Sequence, residues 1–264
     1  MKPYKVKKRN NLKKKSRPIE KDVFVCVDCE STGLDPKNDR IIEIAAAKFT
    51  IKEILEQKDA LIDPECPIPE ASIAIHNITQ DMVTGKTVIK DALPEFLDFI
   101  GNHIIVGHNI QFDINLITHS ANREGVKCQI IDNTFIDTLR MARLYGESPS
   151  NSLDQLRQHF NIEFEGAHRA LNDVVVNIGV FRYLSQRFNT THQLLNTLKK
   201  PIALKYMPLG QHKGRLMKEV PLEYLRWAAS KDFDMDLLFS IRSELKRRKT
   251  TRDFGQSTNP FQHL

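Results

Sequence analysis

Asp28 and Glu30 end a run of strand-forming residues, VFVCVDCE at positions 23–30, immediately before Ser31-Thr32-Gly33. Side chains of an extended strand alternate between faces, so acids two positions apart project from one face with oxygens a few ångströms from each other. Two like charges so placed raise each other's proton affinity. A shared hard cation such as Mg²⁺, which prefers oxygen ligands, relieves that repulsion. The pair fits half of a divalent-metal cradle, and it also fits a solvated strand end; further carboxylates decide between them. The candidates are Asp113 in HNIQFD and Asp173 in AHRALNDV. Each opens a helical pattern, so each also reads as an acid favoured by the helix dipole, and His108 and Asn109 also read as turn residues. His168 stands five residues before Asp173. On one helix the two would lie about 140° apart. His168 is therefore placed in the loop before the helix, after Gly166, where it can lean over the same cavity.

Elements that could position these residues follow from periodicity. VFVCVDCE and RIIEIAAAKFT read as strands separated by the turn-rich TGLDPKND, and IKEILEQKDALID as a third, giving an antiparallel meander. DALPEFLDFIGN has helical spacing, HIIVGHN is a short buried strand, and FDINLITHSANREG a helix ending at Gly125. NTFIDTLRMARLYG passes from strand into helix, SLDQLRQHF opens on a Ser152 cap, and RALNDVVVNIGVFRYLSQRF is a long, largely apolar helix. Three strands, then alternating helix and strand, then helices, imply an α/β fold with a mixed sheet. After the break at KKPIALKYMPLG, a hairpin around Lys213-Gly214 and two helices suffice for a small second module.

The chain has 264 residues, 41% hydrophobic and 27% charged, as expected of a soluble protein with one sizeable core and an appendage. It has neither an apolar run of membrane-span length nor the apolar core of a signal peptide, which makes a cytoplasmic location the expectation. Cysteines stand at 26, 29, 66 and 128. Odd spacing sends Cys26 and Cys29 to opposite faces, and no second close pair completes a zinc site, so reduced core cysteines are expected. Residues 1–21 carry ten Lys or Arg against Glu20 alone, a net +9 within a whole-chain +6. This stretch lacks apolar periodicity and is expected to be disordered, serving phosphate attraction or solubility.

The segments VDCESTGL, HNIQFD and HRALND resemble the three motifs of the DEDDh family, the 3′–5′ exonucleases related to the proofreading epsilon subunit of bacterial DNA polymerase III (DnaQ-like). The likeness runs from about residue 22 to 190, with lesser echoes in IIEIAA, IHNIT, FIDTLRMAR and SLDQL. It implies an RNase H-like fold, a mixed five-stranded sheet flanked by helices. It further implies that Asp28, Glu30, Asp113 and Asp173 hold two divalent ions, Mg²⁺ or Mn²⁺. Asp28 would bridge both, Glu30 and Asp173 complete the first, and Asp113 serve the second, with His168 as general base. Thr32, Gly33 and Leu34 would bring backbone amides and an apolar wedge to the terminal nucleotide, which His76 and Asn109 would also face. His76 also reads as a loop histidine. Asp137 recurs in relatives outside the metal set and is expected to cap the helix at Thr138.

The expected organisation is a basic tail at 1–21, an exonuclease domain at 22–200, a small module at 201–250 and a flexible tail at 251–264. The expected activity is metal-dependent 3′–5′ hydrolysis of single-stranded or frayed DNA ends to 5′-mononucleotides. RNA 3′-end trimming and a binding role as a polymerase accessory are the alternatives. Partners are nucleic-acid 3′ ends, DNA before RNA, and no membrane. QLLNTL at 193–198 and QSTNPF at 256–261 resemble sliding-clamp-binding peptides only weakly. The second module, with LGQHKGRLM and VPLEYLRWAA, resembles a small domain of unestablished function that follows exonuclease-like domains. Tyr224 and Trp227 could stack on bases and Lys246, Arg247, Arg248 and Lys249 meet phosphates; aromatics at helical spacing more often pack, which favours a small core and a charged helix end.

Overall fold

The computed structural model describes residues 17–148, 150–163 and 169–257, the last seven as backbone. The expectations placed on residues 1–16, on His168 and on 258–264 lie outside the described residues.

Strands β1 (Phe24–Ser31), β2 (Ile41–Phe49) and β3 (Ile54–Leu61) form the expected antiparallel meander. Two short helices follow, α1 (Glu70–His76) and α2 (Gln80–Val83), then α3 (Ile89–Ile100). Alternation begins with β4 (Ile104–Gly107), α4 (Gln111–Glu124), β5 (Phe135–Asp137) and α5 (Thr138–Tyr145). Helices α6 (Leu153–His159), α7 (Ala170–Ser185) and α8 (Thr191–Leu198) close this part, and α9 (Leu222–Ala228) and α10 (Met235–Ser257) belong to the C-terminal module. The sheet order is β3-β2-β1-β4-β5, with β4 parallel to β1 and β5 parallel to β4. The fold is thus the mixed five-stranded sheet flanked by helices that the motifs imply.

Strand parity divides the core. Phe24 and Cys26 of β1 face a cluster with Val174, Ile178, Phe181 and Leu184 of α7, whereas Val25, Val27 and Cys29 face α3 and α4. Cys26 and Cys29 therefore lie on opposite faces, and all four cysteines are free, Cys66 and Cys128 being only partly buried. Ala45 and Ala47 of β2 present only methyl groups to the α7 layer, which lets the helix settle close to the sheet. Phe24, Phe49 and Phe181 meet beside them with ring centroids 5.1–5.6 Å apart. The parity that sends Phe24 and Cys26 toward α7 sends Asp28 and Glu30 there as well.

Several expectations change. Part of the expected tail is packed: Ile19 is buried in the α7-side cluster with Phe188, and its amide donates to the Asn189 carbonyl at 3.1 Å. One apolar side chain in a basic run finds a core pocket that periodicity cannot register. Ser152 stands at the N-cap of α6, but its hydroxyl makes no capping bond. The expected hairpin is a loop closed by the single antiparallel bridge Tyr206–Leu216, with a 3₁₀ turn at Gly210–His212. Helix α10 runs to Ser257, beyond the end expected at 250. QLLNTL lies in α8 with Leu194 and Leu198 in the core.

The C-terminal module has its own apolar cluster, with Met207, Met217, Val220, Leu225, Ala228, Leu237 and Ile241 buried. It is fastened to α5 by ion pairs. Buried Asp236 receives Arg140 at 2.9 Å and Arg143 at 2.8 Å, Asp234 receives Arg143 at 2.9 Å, and the Ile202 amide donates to Asp236 at 3.0 Å. Among the described residues no helix is long and apolar enough to cross a membrane.

Candidate active site

Asp28, Glu30 and Asp173 each offer a carboxylate oxygen, and these atoms lie within 4.8 Å of one another. The first two come from one face of β1 and the third from the first turn of α7, which packs on that face. Asp113 arrives from the other side. Strand β4 pairs with β1 only as far as Cys26, so the β4-side edge of β1 is vacant beyond it. Helix α4 enters there, and buried Asp113 accepts the Cys29 amide at 3.0 Å on Oδ1. The turn from β4 into α4 is tight at Gly107, where a Cβ would overlap the Ile110 side chain. Asp113 thus sits against the strand segment that carries the other two acids, outside their close triad.

The electrostatics follow from crowding. Burial, then the charges of Asp113, Asp173, Glu30 and Glu43, push the Asp28 carboxyl well above the carboxylate range. Glu30 is pushed up to about 7, chiefly by burial and then by Asp173 and Glu43, with Arg169 opposing. Asp113 is raised to about 8 by burial, against the pull of the Cys29 amide. Burial and mutual repulsion together hold these acids back from ionising at neutral pH, and a cation among them would relieve both. A hard divalent ion fits this donor set, which is all carboxylate oxygen at short mutual spacing.

Two supporting groups escaped the sequence reading. Glu43, cross-strand neighbour of Glu30, is fully buried and receives Arg169 through Nε at 2.9 Å and Nη2 at 2.6 Å, and the Ala170 amide at 2.8 Å. Since Arg169 caps α7 and Ala170 begins it, Glu43 fixes the start of the helix that carries Asp173. An acid inside the apolar IIEIAA run was the available signal, since such an acid needs a cation or amide partner. The second group is a polar chain under the end of β4. His108 Nδ1 lies 3.0 Å from Thr138 Oγ1, which donates to Asn177 at 2.6 Å, and Asn177 donates to Cys26 Sγ at 3.4 Å. His108 Nε2 lies 2.9 Å from the Asn151 carbonyl, and burial pulls its pKa down to about 4, so it is a neutral structural group.

The remaining expected contacts are placed as follows. The Thr32 amide donates to Arg40 at 2.9 Å and its hydroxyl to Asp39 at 2.9 Å, so both are committed within the loop after β1. Gly33 packs against the Asp39 carboxylate, where a Cβ would clash at 2.5 Å. Leu34 stands 86% exposed in the same loop. Asn109 is exposed in the left-handed region at φ 61°, and its amide donates to Asp137 at 3.0 Å. Asp137 also accepts the Leu139 amide at 2.9 Å and caps α5. His76 is not a loop residue; it ends α1, is buried, and accepts the Ile78 amide on Nδ1, while its Nε2 has no partner among the described residues.

Residues 25–181 match the family model described as "Exonuclease", more than half of the chain. Residues 195–239 match a model described as "Putative quorum-sensing-regulated virulence factor". Among curated proteins, the chain is 34% identical over 163 residues to the PolC-type DNA polymerase III of Clostridium perfringens, covering 61% of this chain and 11% of that one. It is 38% identical over 163 residues to that of Thermotoga petrophila, covering 62% and 12%. The chain therefore spans about a tenth of the length of these relatives. Among solved structures, Exonuclease X in complex with 5′ overhanging duplex DNA aligns with TM-score 0.54 at 24% identity, over 67% of this chain and 99% of that one. E. coli Exonuclease I in complex with a dA16 oligonucleotide aligns with TM-score 0.58 at 20% identity, over 67% and 42%. These two likenesses concern the fold. The family match and the three spaced motifs together place the chain in the exonuclease family, in its DnaQ-like branch.

Proposed function

We propose that this chain removes 5′-mononucleotides from the 3′ end of single-stranded or frayed DNA, using divalent ions held by Asp28, Glu30 and Asp173 with Asp113 alongside. The observation that carries this reading is the convergence of three carboxylates within 4.8 Å on the face of β1 where α7 packs. Divalent ions bound there would supply water activation and neutralisation of charge on the leaving oxygen. The chain's own part is to hold those ions rigidly, since β1 is an interior strand and Glu43 with Arg169 pins the start of α7. His168, next to Arg169 and with an unperturbed pKa near ~6.5, is suited to take the attacking water's proton at neutral pH. Exposed Leu34 offers an apolar surface to the terminal base. The DNA named for the solved neighbours supports DNA as substrate, and the polymerase relatives support a replication or repair setting.

Matched DNA and RNA oligomers, labelled at the 5′ or the 3′ end, test the reading with Mg²⁺ and with Mn²⁺. The expected result is a ladder that shortens from the 3′ end on DNA, and no product from Asp173→Ala with an unchanged melting curve. Shortening from the 5′ end, or variant activity within tenfold of the parent, contradicts it; faster cleavage of RNA corrects the substrate alone.

A further inference from the structure

Charge is segregated along the chain. Residues 22–200 carry 17 Lys or Arg against 25 Asp or Glu, a net −8, whereas residues 201–250 carry eleven against six, a net +5. The catalytic region repels a polyanion on balance, and the module attracts one. On the module lies a row of rings. His212 and Tyr224 meet edge to face at 4.5 Å, and the Tyr224 and Trp227 rings lie 5.2 Å apart, tilted at 44°. The expected packing holds for Tyr224, which contributes to the module's apolar cluster, and fails for Trp227, which is 50% exposed and outside it. Lys231 Nζ lies 5.1 Å from the centroid of the Trp227 ring, at one end of the row. At the other end His212 is followed by exposed Lys213 and Arg215. Exposed Glu223 and Asp232 interrupt this surround without cancelling the surplus. Tyr206, 48% exposed with Lys205 Nζ 5.2 Å from its ring, repeats the aromatic–cation pairing in the same module.

We propose that this row is a docking surface for the unpaired strand of the nucleic-acid substrate. A base stacks on Trp227, while Lys231, Lys213 and Arg215 meet the neighbouring phosphates. A half-exposed indole offers a face on which any base can stack, and flanking cations follow the backbone without reading sequence, as in single-strand binding grooves. The inference rests on the proposed function for one thing only, that the polymer is nucleic acid.

The chain has one tryptophan, so its emission reports on this ring alone. The test is titration of the full chain with a 20-nucleotide oligo(dT) in EDTA, reading tryptophan emission and, in parallel, anisotropy of the labelled oligomer. Saturable quenching is expected to track the anisotropy change. The variants Trp227→Ala and Lys213→Glu/Arg215→Glu should each weaken binding about fivefold or more, while turnover of a dinucleotide stays at the parental rate. Anisotropy that saturates with unchanged emission, parental affinity in both variants, or no binding of the oligomer overturns the proposal. Quenching without nuclease activity would leave the surface standing and remove the catalytic reading; cleavage with no quenching would do the reverse.

Discussion

Two clusters of carboxylates meet different fates in this molecule. At the junction of α5 and the C-terminal module, Asp234 and Asp236 face Arg140 and Arg143, and every charge has a partner. Burial pushes the Asp236 carboxyl up, but the Arg140 bond, the Ile202 amide and Arg143 outweigh it and hold the group below its ordinary range. At the end of β1, Asp28, Glu30 and Asp113 are raised, chiefly by burial and then by the acids beside them, with no arginine among the described residues bonded to any of the three to outweigh it. Residue type is the same; the partners differ. Carboxylates bonded to guanidinium groups fasten one part of the fold to another, and carboxylates gathered against one another form an oxygen donor set that a cation would complete.

The largest effect on stability should come from the paired cluster. Asp236→Ala takes the carboxylate partner from Arg140, only 17% exposed, and one of the two from Arg143, 9% exposed, and should cost about 3 kcal/mol in chemical denaturation. A loss below about 1 kcal/mol would show that the junction is not held by these pairs. Arg169→Ala comes next. It leaves buried Glu43 with the Ala170 amide alone, but Arg169 is 38% exposed and solvent screens part of the pair, so about 2 kcal/mol is expected. Turnover should fall with it, because the start of α7 and Asp173 lose their anchor; full turnover at reduced stability would separate the clamp from the site.

The smallest effect is in pH dependence, where the clusters should act with opposite sign. Asp236 has a lowered folded pKa, so its stabilisation is present above the ordinary carboxylate range and is lost as pH falls through the folded value. Glu30 at about 7 and Asp113 at about 8 are raised, so the folded state holds protons that the unfolded state has released. Their contribution in metal-free protein therefore weakens as pH rises from about 5 to 8. Asp113→Asn keeps an acceptor for the Cys29 amide and removes one of these titrations. In EDTA its melting temperature should fall less than the parent's over that interval, and an equal fall would mean that Asp113 is ionised throughout.

Much of this was legible in the chain because it rests on local rules. Strand parity alone puts Asp28 and Glu30 on one face, and helix and strand periods yield the sheet's content and mixed character. Gly125 and Asp137 stand at the helix ends where their chemistry puts them. What stayed hidden depends on distance in sequence. Glu43 meets Arg169 across 126 positions, and no local pattern joins them. Ile19 and Trp227 go against their surroundings, one apolar side chain buried from a basic run and one aromatic left in water from a helical pattern. Helices α1 and α2, of seven and four residues, are too short for periodicity to register.

Calorimetric titration of the full chain with Mn²⁺ near pH 7.5 tests the central claim, that the converging carboxylates form a divalent-ion site, most directly. The parent should bind with release of protons from groups that are partly protonated there, so the observed heat should change with the ionisation enthalpy of the buffer. Asp173→Ala should lose most of that binding while melting as the parent does. Superimposable isotherms for the two proteins, with the same dependence on buffer, would contradict the account.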